Sequence, residues 1–396
     1  MASGSVVAGA APGREQAYWT AWTATLIFFA GFYALLVPLP GYLARVGLPD
    51  WQIGMILGAF GVASLLGRPL AGVAVDRWGT RPLLLFGAVA LIVGAIGIVL
   101  TANPLVLGGL RLFQAAGYVA FTTAGTVLVI ELTPPDERGR RLAVFGAAAN
   151  VAITLAPAAA TALLEVAPIE SGFWAAGGLA LLAGVLASLV ATPGRPSAPE
   201  GARPGSWRFP RRLWLPMATA GLFGAGFAAF FLFAPILSER RGAPAGLLYT
   251  LYGIGIILTR LVSSRWIDRA GTGPSLLVAA GLLVVGLALT AVATTPAWLG
   301  LAAVLVACGS GLFHPVLIAH HARLLPGAPG RASAAFYLGF DLGIGLGSWL
   351  LGVVLEASGL TWLYAAAALL IVATGPLIPV LARQPLPPPS DDERGA

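Results

Sequence analysis

Asp341 interrupts an apolar run, FYLGFDLGIGLG, in which no other side chain is charged. It stands ten residues after Arg331, roughly 15 Å along a helix. A carboxylate that deep in an apolar stretch is costly unless it is protonated, paired or hydrated. It is therefore suited to bind and release a proton, or to hold a cationic group. Arg111 and Gln114, three residues apart in RLFQ, lie one helical turn from each other in a second apolar run and can share one partner, an anionic group or a proton relay. His314, in GLFHPVL, puts a titratable ring at the kink that Pro315 predicts. Asn150 adds an amide to a further apolar run. No metal site follows from three histidines and one cysteine, Cys308, with no CxxC pair, and no cofactor is expected. P-loop, HExxH and GxSxG patterns are absent from the sequence, so neither nucleotide-driven work nor hydrolysis is supported and the chain does not read as an enzyme.

The elements that must carry these residues are long apolar helices. Of 396 residues, 58% are hydrophobic and 10% charged, against about 25% charged in soluble domains. The solvent is a lipid bilayer. Glycine, proline and charge clusters divide the chain into twelve spans, at about 18–44, 52–75, 82–101, 104–132, 142–165, 170–192, 213–237, 246–266, 274–293, 296–323, 332–357 and 360–382. All 23 basic residues are arginine. With the N-terminus inside, sixteen fall in cytoplasmic segments, three on the other side and four (Arg68, Arg111, Arg260, Arg265) within spans. That bias puts both termini in the cytoplasm and accounts for the basic balance without nucleic acid. Arg68 and Arg260, two turns from the cytoplasmic ends of their spans, are expected to snorkel or brace the adjacent loop. His320 and His321 are expected to face headgroups.

Residues 193–212, rich in Pro, Gly and Arg, read as a cytoplasmic linker. They separate a six-helix bundle at 1–192 from another at 213–383, with a cytoplasmic tail at 384–396. The halves repeat. GVAVDRWGTR at 72–81 is echoed by SRWIDRAGTG at 264–273, and Arg68 precedes Asp76 by eight residues as Arg260 precedes Asp268. In that register Asn150 falls near Asp341. Duplicated six-span units imply two like-oriented bundles related by an axis along the membrane normal. Phe32 and Phe227 are repeat mates. With Tyr337, they are expected to give a central cavity an aromatic wall, better suited to amphiphilic molecules than to sugars.

These motifs resemble the major facilitator superfamily over the whole chain. GVAVDRWGTR is similar to its loop 2–3 signature, G-x-x-x-D-R-x-G-x-R. RLFQAAG resembles its helix 4 motif R-x-x-Q-G-x-G, with Ala115 in place of the first glycine, and PPDERGRR resembles its loop 4–5 pattern. LAPAAATAL keeps Pro157 of the drug/proton antiporters' G-P-x-x-G-G but not its glycines. The resemblance, closest to the drug/proton antiporter and arabinose-efflux-permease-like branch, implies an all-α membrane protein of twelve transmembrane helices in two pseudo-symmetric bundles. It places helices 1, 4, 7 and 10 around the cavity and 2, 5, 8 and 11 along the interface. It also implies that Asp76 meets the N-terminus of helix 11, with Arg77 and Arg81 completing a charged cluster, Gly72 allowing close approach and Gly79 making the turn. Asp268, Arg269 and Gly271 would form a weaker second latch. The expected activity is proton-coupled efflux of small organic molecules by a monomer in the plasma (inner) membrane. The alternatives are an uptake symporter or uniporter for a metabolite and, from another class, a membrane receptor that transports nothing.

Overall fold

The computed structural model describes the backbone of residues 12–134, 137–190, 209–325 and 329–386; the side chains of 12, 65, 66, 69, 139, 143, 264–268, 329 and 330 lie outside that description. Most of the expected linker and tail fall outside it too. Every regular element among the described residues is helical: α1 (Pro12–Ala34), α2 (Pro38–Arg45), α3 (Asp50–Trp78), α4 (Thr80–Val99), α5 (Pro104–Leu132), α6 (Arg138–Val166), α7 (Glu170–Leu189), α8 (Trp214–Arg241), α9 (Ala245–Ala270), α10 (Thr272–Val292), α11 (Pro296–Leu324), α12 (Pro329–Val372) and α13 (Leu377–Ala382), with one 3₁₀ turn at Arg211–Leu213.

Ten described stretches have the length and apolarity to cross a bilayer. One of them, Arg331–Ala382, has 52 residues and reverses at Gly359, whose φ of 83° and ψ of −178° end one helix and start the next. Together with the 29-residue α3, long enough to cross at 1.5 Å per residue, this makes twelve passes. The fold is that of a multi-pass, all-helical membrane protein. The expected spans recur within a few residues, except that the last is broken at 373–376 between α12 and α13 and the first shows two changes. It begins at Pro12, and it is broken at residues 35–37 between α1 and α2. Pro38 lacks an N–H and its ring crowds the carbonyl four residues back. The chain there closes tighter turns instead, Leu36 N–H to Tyr33 O at 3.1 Å and Val37 N–H to Ala34 O at 3.4 Å.

An even number of passes puts the start of α1 and the end of α13 on one face, here the terminal face; the opposite one is the far face. The repeat register survives in three dimensions. Gly79 and Gly271, 192 residues apart, turn the chain with φ 84°, ψ 177° and φ 76°, ψ 179°, a region only glycine occupies cheaply.

The halves meet through helices that have shed their side chains. Along α3, Gly54, Gly58 and Gly61 face α12. A Cβ on Gly54 or Gly58 would strike Ser348, Gly345 or Gly352, and one on Gly61 would strike Gly345 and the Asp341 carbonyl. Across the axis, Gly246 and Gly253 of α9 lie against Ala158, Thr161 and Thr154 of α6. Thr161 Oγ accepts from the Gly246 N–H at 2.9 Å, and Thr250 donates to the Thr154 carbonyl at 3.0 Å. Small residues at helical spacing let backbones approach where lipid offers no hydrophobic drive. All these contacts lie toward the far face. There Arg240 of α8 also pairs with Asp50 of α3 at 3.1 Å, and the Glu356 carboxylate accepts from the Asp50 N–H at 2.6 Å.

Gly359→Ala forces a side chain into a glycine-only conformation at an expected cost of about 1–3 kcal/mol. Gly109→Ala, in a helix with open space around it, is expected to be neutral or slightly stabilising. Thermal unfolding of the two variants in detergent checks both.

Candidate functional site

One heptad beyond Gly61, on the same stripe of α3, stands Arg68. Its Nε and Nη2 both donate to Oδ2 of Asp341 in α12, at 3.0 and 2.7 Å. The pair joins the two halves of the chain. The Asp341 side chain keeps 4% of its surface exposed and Arg68 keeps 21%, so the carboxylate is enclosed and the guanidinium partly open. The guanidinium also lies 4.7 Å over the Tyr337 ring, one turn from Asp341, a cation–π contact strengthened by the low dielectric. Sequence reasoning found Asp341 and misread its partner. Distance from a loop measures how far Arg68 must reach to escape, but the glycine stripe decides which way it points, and it points into the interface.

Around this pair runs the aromatic lining. Tyr118 of α5 packs against Phe32 at 4.5 Å and Phe60 at 4.8 Å. In the other half Phe227 packs against Tyr252 at 5.9 Å and Phe340 at 6.0 Å. Tyr33 and Phe231 touch across the halves, edge to face at 6.1 Å. Phe32 and Phe227 are buried, behind neighbours such as Tyr118 and Tyr337 that are half-buried. His314 sits among Phe336, Tyr337 and Phe340, with ring centroids 4.7, 5.8 and 5.7 Å away, next to Pro315 inside α11.

Arg111 does not snorkel. It is 2% exposed, its Nη1 donates to Gln114 Oε1, and its guanidinium lies 5.5 Å over Phe32. Arg111 Nε and Gln114 Nε2 are buried without a hydrogen-bond partner among the described residues. Arg111 and Gln114 come together as their spacing foretold, but inside the N-terminal bundle and apart from Asp341. Asn150 is half-buried in α6, one turn from Thr154, whose hydroxyl donates to the Asn150 carbonyl at 2.6 Å. His320 and His321 do not face headgroups: both are buried. His320 Nε2 lies 3.1 Å from Gln384 Oε1, and His321 Nδ1 lies 2.8 Å from the Leu317 carbonyl. The chain after α13 folds over this end of α11.

The latch residues sit at the terminal ends of α3 and α9, beside the turns at Gly79 and Gly271. Asp76 is exposed and makes no hydrogen bond or ion pair among the described residues; Arg77 and Arg269 are exposed as well. Arg81 donates to the Ser188 carbonyl at 2.5 Å, within its own half. A Cβ on Gly72 would meet nothing within 4 Å, so that glycine serves no close approach here. The side chain of Asp268 lies outside the described residues. Gly79 and Gly271 do make the turns expected of them.

Two six-pass bundles sealed together on one face, with a charged pair crossing their interface, define a membrane carrier. The family model described as Major Facilitator Superfamily matches residues 21–245 and again 241–396, and the chain belongs to that superfamily. It is 27% identical over 365 residues to the MFS-type transporter YhhS of Escherichia coli (strain K12), covering 87% of each chain. Its fold is similar to that of the nucleoside transporter NupG, with a TM-score of 0.77 at 15% identity over 93% of this chain and 100% of that one. It is also similar to a bacterial homolog of the human lysosomal transporter Spinster in an inward-facing, unoccupied conformation, with a TM-score of 0.71 at 16% identity over 94% and 96%. The chain is thus a membrane transporter, a carrier rather than an enzyme, and binds small-molecule substrates within the membrane.

Asp341→Ala leaves the Arg68 guanidinium without its counter-charge. The expected loss of stability is about 1–3 kcal/mol, below that of a wholly buried pair because Arg68 keeps some solvent. The double variant Arg68→Met, Asp341→Leu is expected to recover most of it. A double-mutant cycle of unfolding in detergent measures the difference.

Proposed function

We propose that this transporter is a proton-coupled secondary carrier that exports small amphiphilic organic molecules by alternating access. The Arg68–Asp341 pair carries this reading. It ties α3 to α12 at the level where the sealed part of the interface gives way toward the terminal face, and Asp341 can be neutralised by one proton. With Asp341 ionised, the charge-assisted bonds hold the halves together at that depth. Protonation removes the charge, leaves Arg68 free to turn to water or solute, and lowers the cost of parting the halves there. The half-buried Tyr118 and Tyr337 and the aromatic residues behind them support a substrate with a flat apolar part.

The terminal-face loops fit the other end of the cycle. With both termini in the cytoplasm, the conformation described here is closed outward and open inward. Asp76, Arg77, Gly79 and Arg81 would then engage the start of α12 when the cytoplasmic side closes, and Asp268, Arg269 and Gly271 would do the same by pseudo-symmetry. Arg111 and Gln114 would respond to a proton or anion inside the N-terminal bundle, with His314 and Asn150 flanking the cavity. The monomer would sit in the inner membrane, in the drug/proton antiporter and arabinose-efflux-like branch.

A second reading, proton–solute symport, draws on the excess of arginine over carboxylate within the spans. An anionic solute beside Asp341 favours the protonated carboxyl, so proton and solute would travel together.

The test takes the substrate that a proteoliposome screen of amphiphilic molecules identifies. Under an imposed pH gradient, Asp341→Asn is expected to abolish gradient-driven accumulation while leaving solute exchange at equal pH. Gradient-driven accumulation as fast as in the unmodified protein would overturn the proton-coupling assignment. The direction of solute flow relative to proton flow separates antiport from symport.

A further inference from the structure

The repeat that supplies Arg68 also supplies Arg260, 192 residues later, but the two arginines have different surroundings. On α9, Gly253 touches Thr154 across the interface and Ile256 is buried. Arg260, one heptad beyond Gly253, continues that stripe as Arg68 continues the stripe of Gly61. It is exposed although it shares a face with interface residues, as expected of a side chain at the level where the halves part. Tyr252, two turns before Arg260 on α9, packs against Phe227 at 5.9 Å, and Phe227 packs against Phe340 at 6.0 Å. Phe340 lies 5.7 Å from Phe336, which lies 5.2 Å from Tyr337, the ring under Arg68. Both repeat arginines therefore lie along one connected aromatic group.

Arg68 has Asp341. Arg260 has no hydrogen bond or ion pair among the described residues, and the sequence explains why. The helix that faces α9 is α6, and between Glu137 and Glu165 it contains no carboxylate. The polar residues on α6 at and just beyond the Gly253 contact are Thr154 and, one turn toward the terminal face, Asn150. The neutral Asn150 falls near the repeat position at which the other half carries Asp341. Among the described residues, four charges border this aromatic group: Arg68, Arg260 and, behind Phe32, Arg111 are positive, and Asp341 is negative. The negative one is 4% exposed and already engaged.

We propose that Arg260 is the anchor of a substrate site for organic anions: a carboxylate or phosphonate bound by the guanidinium, with an attached aromatic ring against Tyr337, Tyr252 and Phe340. A cation would have to reach an enclosed carboxylate past two arginines, whereas an anion meets an open guanidinium first. A planar, two-pronged donor matches such groups better than a point charge would. The site names the substrate class of the carrier proposed above and rests on the chain being a transporter, but not on its being proton-coupled.

The experiment uses purified full-length protein in detergent with benzoate, phenylacetate and phenylphosphonate as anionic probes. Benzylamine and benzyl alcohol are the cationic and neutral counterparts, and sodium chloride at equal ionic strength is the control. At least one anion is expected to raise the unfolding temperature and the other probes are not. Arg260→Gln is expected to weaken that anion's affinity about tenfold to a hundredfold, the range for a lost charged hydrogen bond. Asn150→Asp, which keeps the arginine but supplies it with a counter-ion, is expected to weaken it comparably. Binding is read at equilibrium with no pH gradient, so a failure of proton coupling and a failure of this site give different results. Preference for benzylamine, no response to any of the three anions, or unchanged affinity in both Arg260→Gln and Asn150→Asp would overturn the site.

Discussion

An ion pair inside a membrane protein is costly to form and more costly to break. Bringing the Arg68 guanidinium and the Asp341 carboxylate out of water is opposed by several kcal/mol per ion. The two persist because Nε and Nη2 both reach one oxygen, at 3.0 and 2.7 Å, and a tyrosine ring covers the cation. The carboxylate and the guanidinium belong to different halves of the chain. Any movement that separates α3 from α12 at this level must therefore neutralise one partner or offer it another. That requirement links any parting of the halves at this level to the charge state of the pair.

The rest of the interface is built so that this condition can decide the outcome. Contacts through glycine and serine backbones are made by packing and weak polar forces, with no large side chain interlocked. Gly54, Gly58 and Gly61 against Gly345, Ser348 and Gly352 can part as one surface, and the same holds for Gly246 and Gly253 against α6. The charged contacts at the far end, Asp50 with Arg240 and Glu356, are partly hydrated and so individually weak. At the opposite end Asp76 stands without a partner among the described residues. The contacts between the halves described here thus run from the far end to the Arg68–Asp341 pair.

The architecture was legible because a bilayer imposes simple rules. Twelve apolar stretches, a one-sided arginine count and a repeat of 192 residues required twelve helices in two bundles. The depth of Asp341 marked it as a carboxylate that needs a partner, and Arg68 is that partner. What sequence spacing did not carry was azimuth, the direction in which a side chain leaves its helix. Arg68 was read as a snorkelling residue because only its height was considered; the i, i+4, i+7 glycines preceding it were a usable signal of direction. His320 and His321 were misplaced for the same reason. The break before Pro38 was legible in principle, since two prolines in three residues rarely sit inside an unbroken helix.

The duplication matters most where it is imperfect. Two identical halves would place equal charges on both sides of the axis, and a solute would then meet either no free charge or two equivalent ones. Here the glycine stripes and the turns at Gly79 and Gly271 are kept, so the mechanical parts of the halves still match. The charges do not: α12 carries Asp341, and α6 has only the neutral Asn150 near that repeat position. Arg68 then ties the halves, while Arg260, which has no ion pair among the described residues, is on the reading proposed above the point of attachment for what enters between them. A single carboxylate lost from, or never gained by, one repeat is enough to separate those two tasks while the backbone keeps the symmetry that rocking requires.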